Sequence, residues 1–261
     1  MRRLRLGVVS YLNAEPLVSG LTGDPAFELL RDRPARVAER LHAGEIDLGM
    51  IPSIEYARGD YALVPGVAIA SRGPVRSVRL LLKGAPDAVR RVALDQSSRT
   101  SQALCRILLR ERLGRDPEYV QMAPDAEAML GAADAALIIG DPALYLDLGG
   151  PSLDLGEEWT RTTGLPFVYA FWAGRPGVID APGVARLQDA LARGRERLPA
   201  IAAAYNGLGA GQAARSESYL RENVVYRLGE EELLGLREFY RRAALLGLIE
   251  RAPELRFHGH S

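Results

Sequence analysis

Seven residues, Asp95-Gln96-Ser97-Ser98-Arg99-Thr100-Ser101, put four hydroxyls and an arginine between the end of an apolar run and a long helical pattern. Free backbone N–H groups at a helix start, with the macrodipole behind them, attract anions. Ser98, Thr100 and Ser101 add hydroxyl donors. Arg99 adds a planar cation suited to a carboxylate or phosphate. The plainer account is a serine-rich cap with Arg99 facing solvent, yet this many donors exceeds what capping needs. Neither a Walker lysine nor a G-x-G-x-x-G accompanies the segment, so a nucleotide is not indicated.

Four further segments carry chemistry-bearing side chains at strand ends. Ser10-Tyr11-Leu12-Asn13 follows a buried strand pattern and precedes a helix start. Ser10 and Asn13 are good cap types, and the Asn13 amide can also donate to and accept from a ligand hydroxyl or carboxylate. Ser53 opens a second such turn and offers an anion contact from the opposite lobe. Ser71-Arg72-Gly73-Pro74, with Ser77, marks a crossover. Asp141 in Gly140-Asp141-Pro142 is an acid/base candidate or a helix cap, and spacing does not separate the two. Thr162 to Pro166 is expected on the cleft wall; Trp159, Phe167, Tyr169, Phe171 and Trp172 are expected in core and hinge packing.

Strands and helices alternate in a way that explains these positions. Strand patterns at 4–9, 27–30, 46–51, 66–71 and 77–82 alternate with helices near Pro16 and over 34–43. The pattern restarts at Lys83-Gly84-Ala85-Pro86, with strands at 91–94, 119–122 and 135–139 and helices at 98–113 and 125–130. An apolar strand over 167–172 is followed by helical stretches over 182–205, 212–224 and 230–246. Two βαβαβ-like blocks with a helical tail imply α/β layers with largely parallel sheets. Ligands on such sheets bind beyond the carboxyl ends of the strands, so two facing rims make a cleft. The expected lobes are 1–84 plus 172–261, and 85–171.

Composition narrows the function. The 261 residues include 33 basic and 33 acidic side chains, so no global basic field favours nucleic acid or an anionic membrane. Lys83 is the only lysine and Cys105 the only cysteine; neither an intrachain disulfide nor a cysteine-rich zinc site is available. No metal-ligand spacing and no G-x-S-x-G elbow occurs, and histidines are few. His42 falls in a helical pattern, while His258 and His260 fall in an expected frayed tail. The apolar piece Leu6 to Val9 is too short for a signal peptide, and a cytoplasmic protein is expected. These residues describe a cleft for a small acidic ligand without naming a reaction.

In order along residues 4–175, the segments Gly7-Val8-Val9-Ser10-Tyr11-Leu12-Asn13, Asp47 to Tyr56, Ser71 to Val75, Ser98 to Ser101 and Gly164 to Val168 resemble the chorismate dehydratase family of the futalosine route to menaquinone. The resemblance implies an α/β, type II periplasmic-binding-protein-like fold, two α/β lobes around a cleft. It implies loss of water from chorismate, a dicarboxylate, to give 3-[(1-carboxyvinyl)oxy]benzoate, with no cofactor or metal. The family's functional asparagine falls on Asn13, and a pocket serine falls in the Ser71–Ser77 region. The implied base is Asp141 or the substrate's own side-chain carboxylate. Two rivals are the fold-sharing, histidine-dependent 1,4-dihydroxy-6-naphthoate synthase and a non-catalytic small-anion-binding protein.

Overall fold

The structure, a computed structural model, describes residues 3–147, 149–205 and 210–259. The first sheet contains β1 (Leu4–Val9), β2 (Phe27–Asp32), β3 (Leu48–Pro52), β4 (Ala62–Ser71) and β10 (Phe167–Gly174), in the order β2-β1-β3-β10-β4. The second contains β5 (Val78–Leu82), β6 (Arg91–Asp95), β7 (Glu118–Met122), β8 (Ala135–Ile139) and β9 (Ser152–Asp154), in the order β7-β6-β8-β5-β9. Helices α1 (Pro34–His42), α2 (Thr100–Leu113), α3 (Ala126–Ala132), α4 (Gly140–Leu144) and α5 (Leu155–Thr163) follow strands. The tail adds α6 (Ala181–Glu196), α7 (Leu198–Ala204), α8 (Ala210–Ser218) and α9 (Glu230–Leu245). Two α/β lobes around a cleft are therefore what this sequence builds.

The sheets are mixed rather than largely parallel, for a topological reason. β4 ends on the cleft-side rim at Ser71, and the chain enters β5 from that same rim. Val78, at the start of β5, pairs with Ile139 at the end of β8, so β5 runs antiparallel to β8 and β9. β10 enters likewise, Phe167 pairing with Ser71, and runs antiparallel to β3 and β4. Since β5 already belongs to the second sheet and β10 to the first, the chain crosses earlier than at 84/85 and 171/172. The crossings are Arg72–Ser77 and Gly164–Pro166. The turn before Ser77 is held from across the crossing: Asp154 accepts the N–H groups of Val75 (3.0 Å) and Arg76 (2.6 Å). Arg76 has φ +63°, a left-handed conformation that a non-glycine keeps only when its surroundings fix it.

β9 and α5 lack a clear sequence pattern; Asp154 caps α5 through Gly156 and Glu157 N–H. Thr162 and Thr163 sit at the end of α5, bonding back to Trp159 carbonyl oxygen, rather than on the cleft wall. The expected helix over 182–205 breaks at Arg197, because Pro199 in the first turn of α7 has no N–H to continue the ladder. α9 ties the tail to the first lobe. Phe239 meets Phe167 edge-to-face at 5.0 Å, Trp159 meets Phe167 at 5.2 Å, and Tyr240 donates to the Ser53 carbonyl at 2.6 Å. Each such buried ring contributes roughly 2 kcal/mol by area. His258 is not frayed: its side chain is buried, and its backbone N–H donates to the carbonyl of Leu63 in β4. His260 lies outside the described residues.

Candidate active site

Between the two sheet rims lies a small, partly enclosed cavity. From the first lobe it is lined by Tyr11 and Asn13 after β1 and by Tyr169 in β10. From the second it is lined by Ser77 before β5 and by Ser98, Thr100 and Ser101 at the start of α2. The remaining walls are apolar, with Val9, Ile69, Val75, Val78 and Ile139 among them. This donor-lined cleft is where the open-sheet rule puts a ligand. Gly140 belongs to it for a steric reason: its φ is +66°, and a Cβ there would lie 2.8 Å from the Tyr11 ring.

Hydrogen bonds hold the lobes closed over the cavity. Tyr11 and Ser97 hydroxyls meet at 3.3 Å, Ile54 N–H donates to Thr100 Oγ1 at 3.1 Å, and Ala35 N–H donates to Ser97 carbonyl oxygen at 3.3 Å. Asp141 reaches across from α4. Its Oδ1 accepts Leu12 N–H at 3.1 Å, and its Oδ2 accepts the Tyr205 hydroxyl at 2.5 Å. Burial raises the Asp141 carboxyl above its ordinary range, the two hydrogen bonds acting against the rise. Its carboxylate braces the stretch that carries Asn13 and does not line the cavity.

The expected site residues therefore divide. Asn13, Tyr11, Ser77, Ser98, Thr100 and Ser101 converge on the cleft, and of the two crossover serines it is Ser77 that faces it. Ser71 instead bonds Tyr169 hydroxyl at 2.9 Å and Gly73 carbonyl, and Ser53 donates to Val168 carbonyl at 2.8 Å. Both are fully buried fold-holding hydroxyls. Ser10 is exposed and lines a separate surface depression with Glu15 and Arg31. Arg99 turns away as well. It pairs with Glu39 at 2.8 Å and lies 3.5 Å from Glu55, whose fully buried carboxylate needs cations. His42 joins that outer cluster, its Nε2 2.8 Å from Glu55 and its Nδ1 2.7 Å from Tyr61 hydroxyl.

Among the described residues, the cavity lining contains no arginine, lysine, histidine or carboxylate. The polar groups it offers are the Ser98 and Ser101 hydroxyls at the start of α2, where Ser98 Oγ also accepts Ser101 N–H at 3.3 Å, and the Asn13 amide. Its ionisable groups are Tyr11 and Tyr169, both shifted upward by burial and so neutral at ordinary pH. Tyr169 was assigned to packing by the sequence, since nothing in an apolar strand marks which ring points into a cavity. One further group lies behind the lining. Tyr219, from the tail, accepts from Asn13 Nδ2 at 3.0 Å and meets Ser77 Oγ at 2.8 Å. Its position far down the chain carried no motif.

Comparison with known proteins follows the same lines. Residues 4–245 match the profile of a menaquinone biosynthesis family. A chorismate dehydratase from Thermus thermophilus is 34% identical over 95% of this chain and 97% of its own. Among solved structures, a protein from Archaeoglobus fulgidus superposes with a TM-score of 0.76 at 20% identity, covering 95% of this chain and 98% of the other. The alkanesulfonate-binding protein of Xanthomonas axonopodis pv. citri, solved with MOPS bound, superposes at 0.67 with 19% identity over 97% and 94%. The structural likenesses show the fold to be periplasmic-binding-protein-like.

Proposed function

This chain belongs to the menaquinone biosynthesis family, and on that premise we propose that it removes water from chorismate to give 3-[(1-carboxyvinyl)oxy]benzoate. The observation that carries the reading is the near-full-length likeness to a chorismate dehydratase, joined to a closed cleft whose lining is neutral and rich in donors. The α2 N-terminus with Ser98 and Ser101 receives one carboxylate of the substrate. Asn13 and Ser77 face the ring hydroxyl and the enolpyruvyl side chain from the other wall.

The reaction is a stepwise elimination. The ring proton next to the enolpyruvyl ether leaves, the neighbouring hydroxyl departs as water, and the ring becomes aromatic. No net oxidation state changes, so the step calls for no redox partner. The base is the substrate's own side-chain carboxylate, because both Asp141 oxygens are engaged in holding Leu12 and Tyr205 and neither lines the cavity. The protein contributes orientation and preorganised donors toward developing negative charge. The histidine-dependent sister reaction would need an imidazole in the cleft, and the described lining has none.

Incubating the purified chain with chorismate tests this. The expected result is a product lighter by one water with aromatic proton resonances. Chorismate left unchanged, or a product that retains the ring hydroxyl, contradicts it. The assignment of the base has its own check. Asp141→Asn keeps an acceptor for Leu12 N–H and is expected to retain turnover within about tenfold, a loss compatible with one weakened brace. Loss of about a thousandfold or more would make Asp141 the proton acceptor.

A further inference from the structure

Tyr219 is the first residue of a single π-helical turn, Tyr219–Asn223, that continues α8. Such turns inside helices are frequent at functional sites. Its side chain is 1% exposed. The hydroxyl touches two residues that line the cleft and come from separate parts of the chain, Asn13 after β1 and Ser77 at the crossing. A phenol has one proton to give. Asn13 Nδ2 donates and cannot accept, which leaves Ser77 Oγ as the acceptor within reach of the buried Tyr219 proton. Ser77 then has its hydroxyl proton free for the cleft. Asn13 keeps Oδ1 and its second Nδ2 proton for the same space. Burial raises the Tyr219 hydroxyl above the ordinary phenol range, the bonds to Ser77 and Asn13 working against the rise, so the group stays protonated and the polarity of the bridge is fixed.

We propose that Tyr219 is a positioning residue for the dehydration: its hydroxyl sets the rotation of the Asn13 amide and aims the Ser77 hydroxyl proton at the bound substrate. The proposal rests on the dehydratase reading above. It gives the helical tail a part in the reaction, since neither α/β lobe alone supplies the group that orders the two donors. A chain of bonded hydroxyl and amide groups of this kind strengthens each member and removes alternative orientations.

Tyr219→Phe removes the one oxygen and keeps the ring. The expected result is a kcat 10- to 100-fold lower, about the range for a misplaced donor, with KM within about threefold. A control separates this from general loosening of the tail. Tyr226 is also buried, and its hydroxyl has no protein partner among the described residues. Tyr226→Phe is expected to leave both constants unchanged. Should Tyr219→Phe not fold, 3,5-difluorotyrosine placed at 219 keeps the shape, makes the hydroxyl a poorer acceptor and stronger donor, and is expected to move kcat at least threefold at constant KM. A folded Tyr219→Phe variant with native kcat, an equal loss in Tyr226→Phe, or no response to fluorination of a protein that folds only with a hydroxyl at 219 overturns the proposal. A wild-type protein that does not turn over chorismate refutes the dehydratase reading and this proposal with it. An active wild type beside an unaffected variant refutes Tyr219 alone.

Discussion

Asn13→Ala lowers kcat by about 10²- to 10³-fold while the protein folds and melts almost as the wild type does. The size follows from what the amide does. It lies on the 3-10 stretch Leu12–Val18, half-buried, with one protein hydrogen bond, to Tyr219. Losing that bond costs stability by about 1 kcal/mol. A donor aimed at charge that develops only during elimination is instead worth roughly 3–4 kcal/mol of barrier. Steady-state kcat with chorismate, read beside the thermal midpoint, separates the two effects. Near-native turnover in a folded Asn13→Ala protein would remove Asn13 from the site.

Gly194→Ala is expected to destabilise the fold by about 3 kcal/mol, at the upper end for overpacking. Intrinsic propensity predicts the opposite sign: Ala in the middle of a helix is better than Gly by about 1 kcal/mol. Position decides between them. Gly194 lies in α6 against the 3-10 stretch after β1, and a Cβ there would sit 2.0 Å from the Pro16 carbonyl oxygen and 2.6 Å from its carbon. Both atoms are backbone and cannot swing aside, so the helix must lift off the stretch that carries Asn13. At about 2–4 °C per kcal/mol for a chain of this size, the midpoint falls by roughly 6–12 °C. Turnover of the folded variant falls with it. Circular dichroism melting checks the first effect, and a midpoint equal to or above the wild type would show that α6 has room to spare.

Much of the scaffold was readable from residues 4–172, because alternating apolar runs and helical periods are local signals and strand ends announce loops. The direction of β5 and β10 was not, since a strand's period of two is the same whichever way it runs. The site divided along similar lines. Of the residues expected at the site, Tyr11, Asn13, Ser77, Ser98, Thr100 and Ser101 line one cavity. Arg99 was placed among them by proximity in sequence, but a buried carboxylate at Glu55 draws its guanidinium to the outer side. Ser53 and Ser71 look like ligand hydroxyls in sequence and serve buried carbonyl and phenol partners instead. Tyr219 gave no signal, because only the folded tail brings residue 219 beside residues 13 and 77.

The account turns on a cleft that supplies neutral donors while the substrate brings its own base. The pH dependence of kcat for chorismate tests this most directly. Burial raises both Asp141 and Asp95, the buried acids nearest the cleft loops, above the ordinary carboxylate range. If either took the proton, kcat would fall as pH dropped through that raised value, giving an acid limb above about pH 4. The account predicts a flat kcat from about pH 5 to about pH 9, over which the substrate carboxylates stay ionised. An acid limb of kcat inside that range would contradict it.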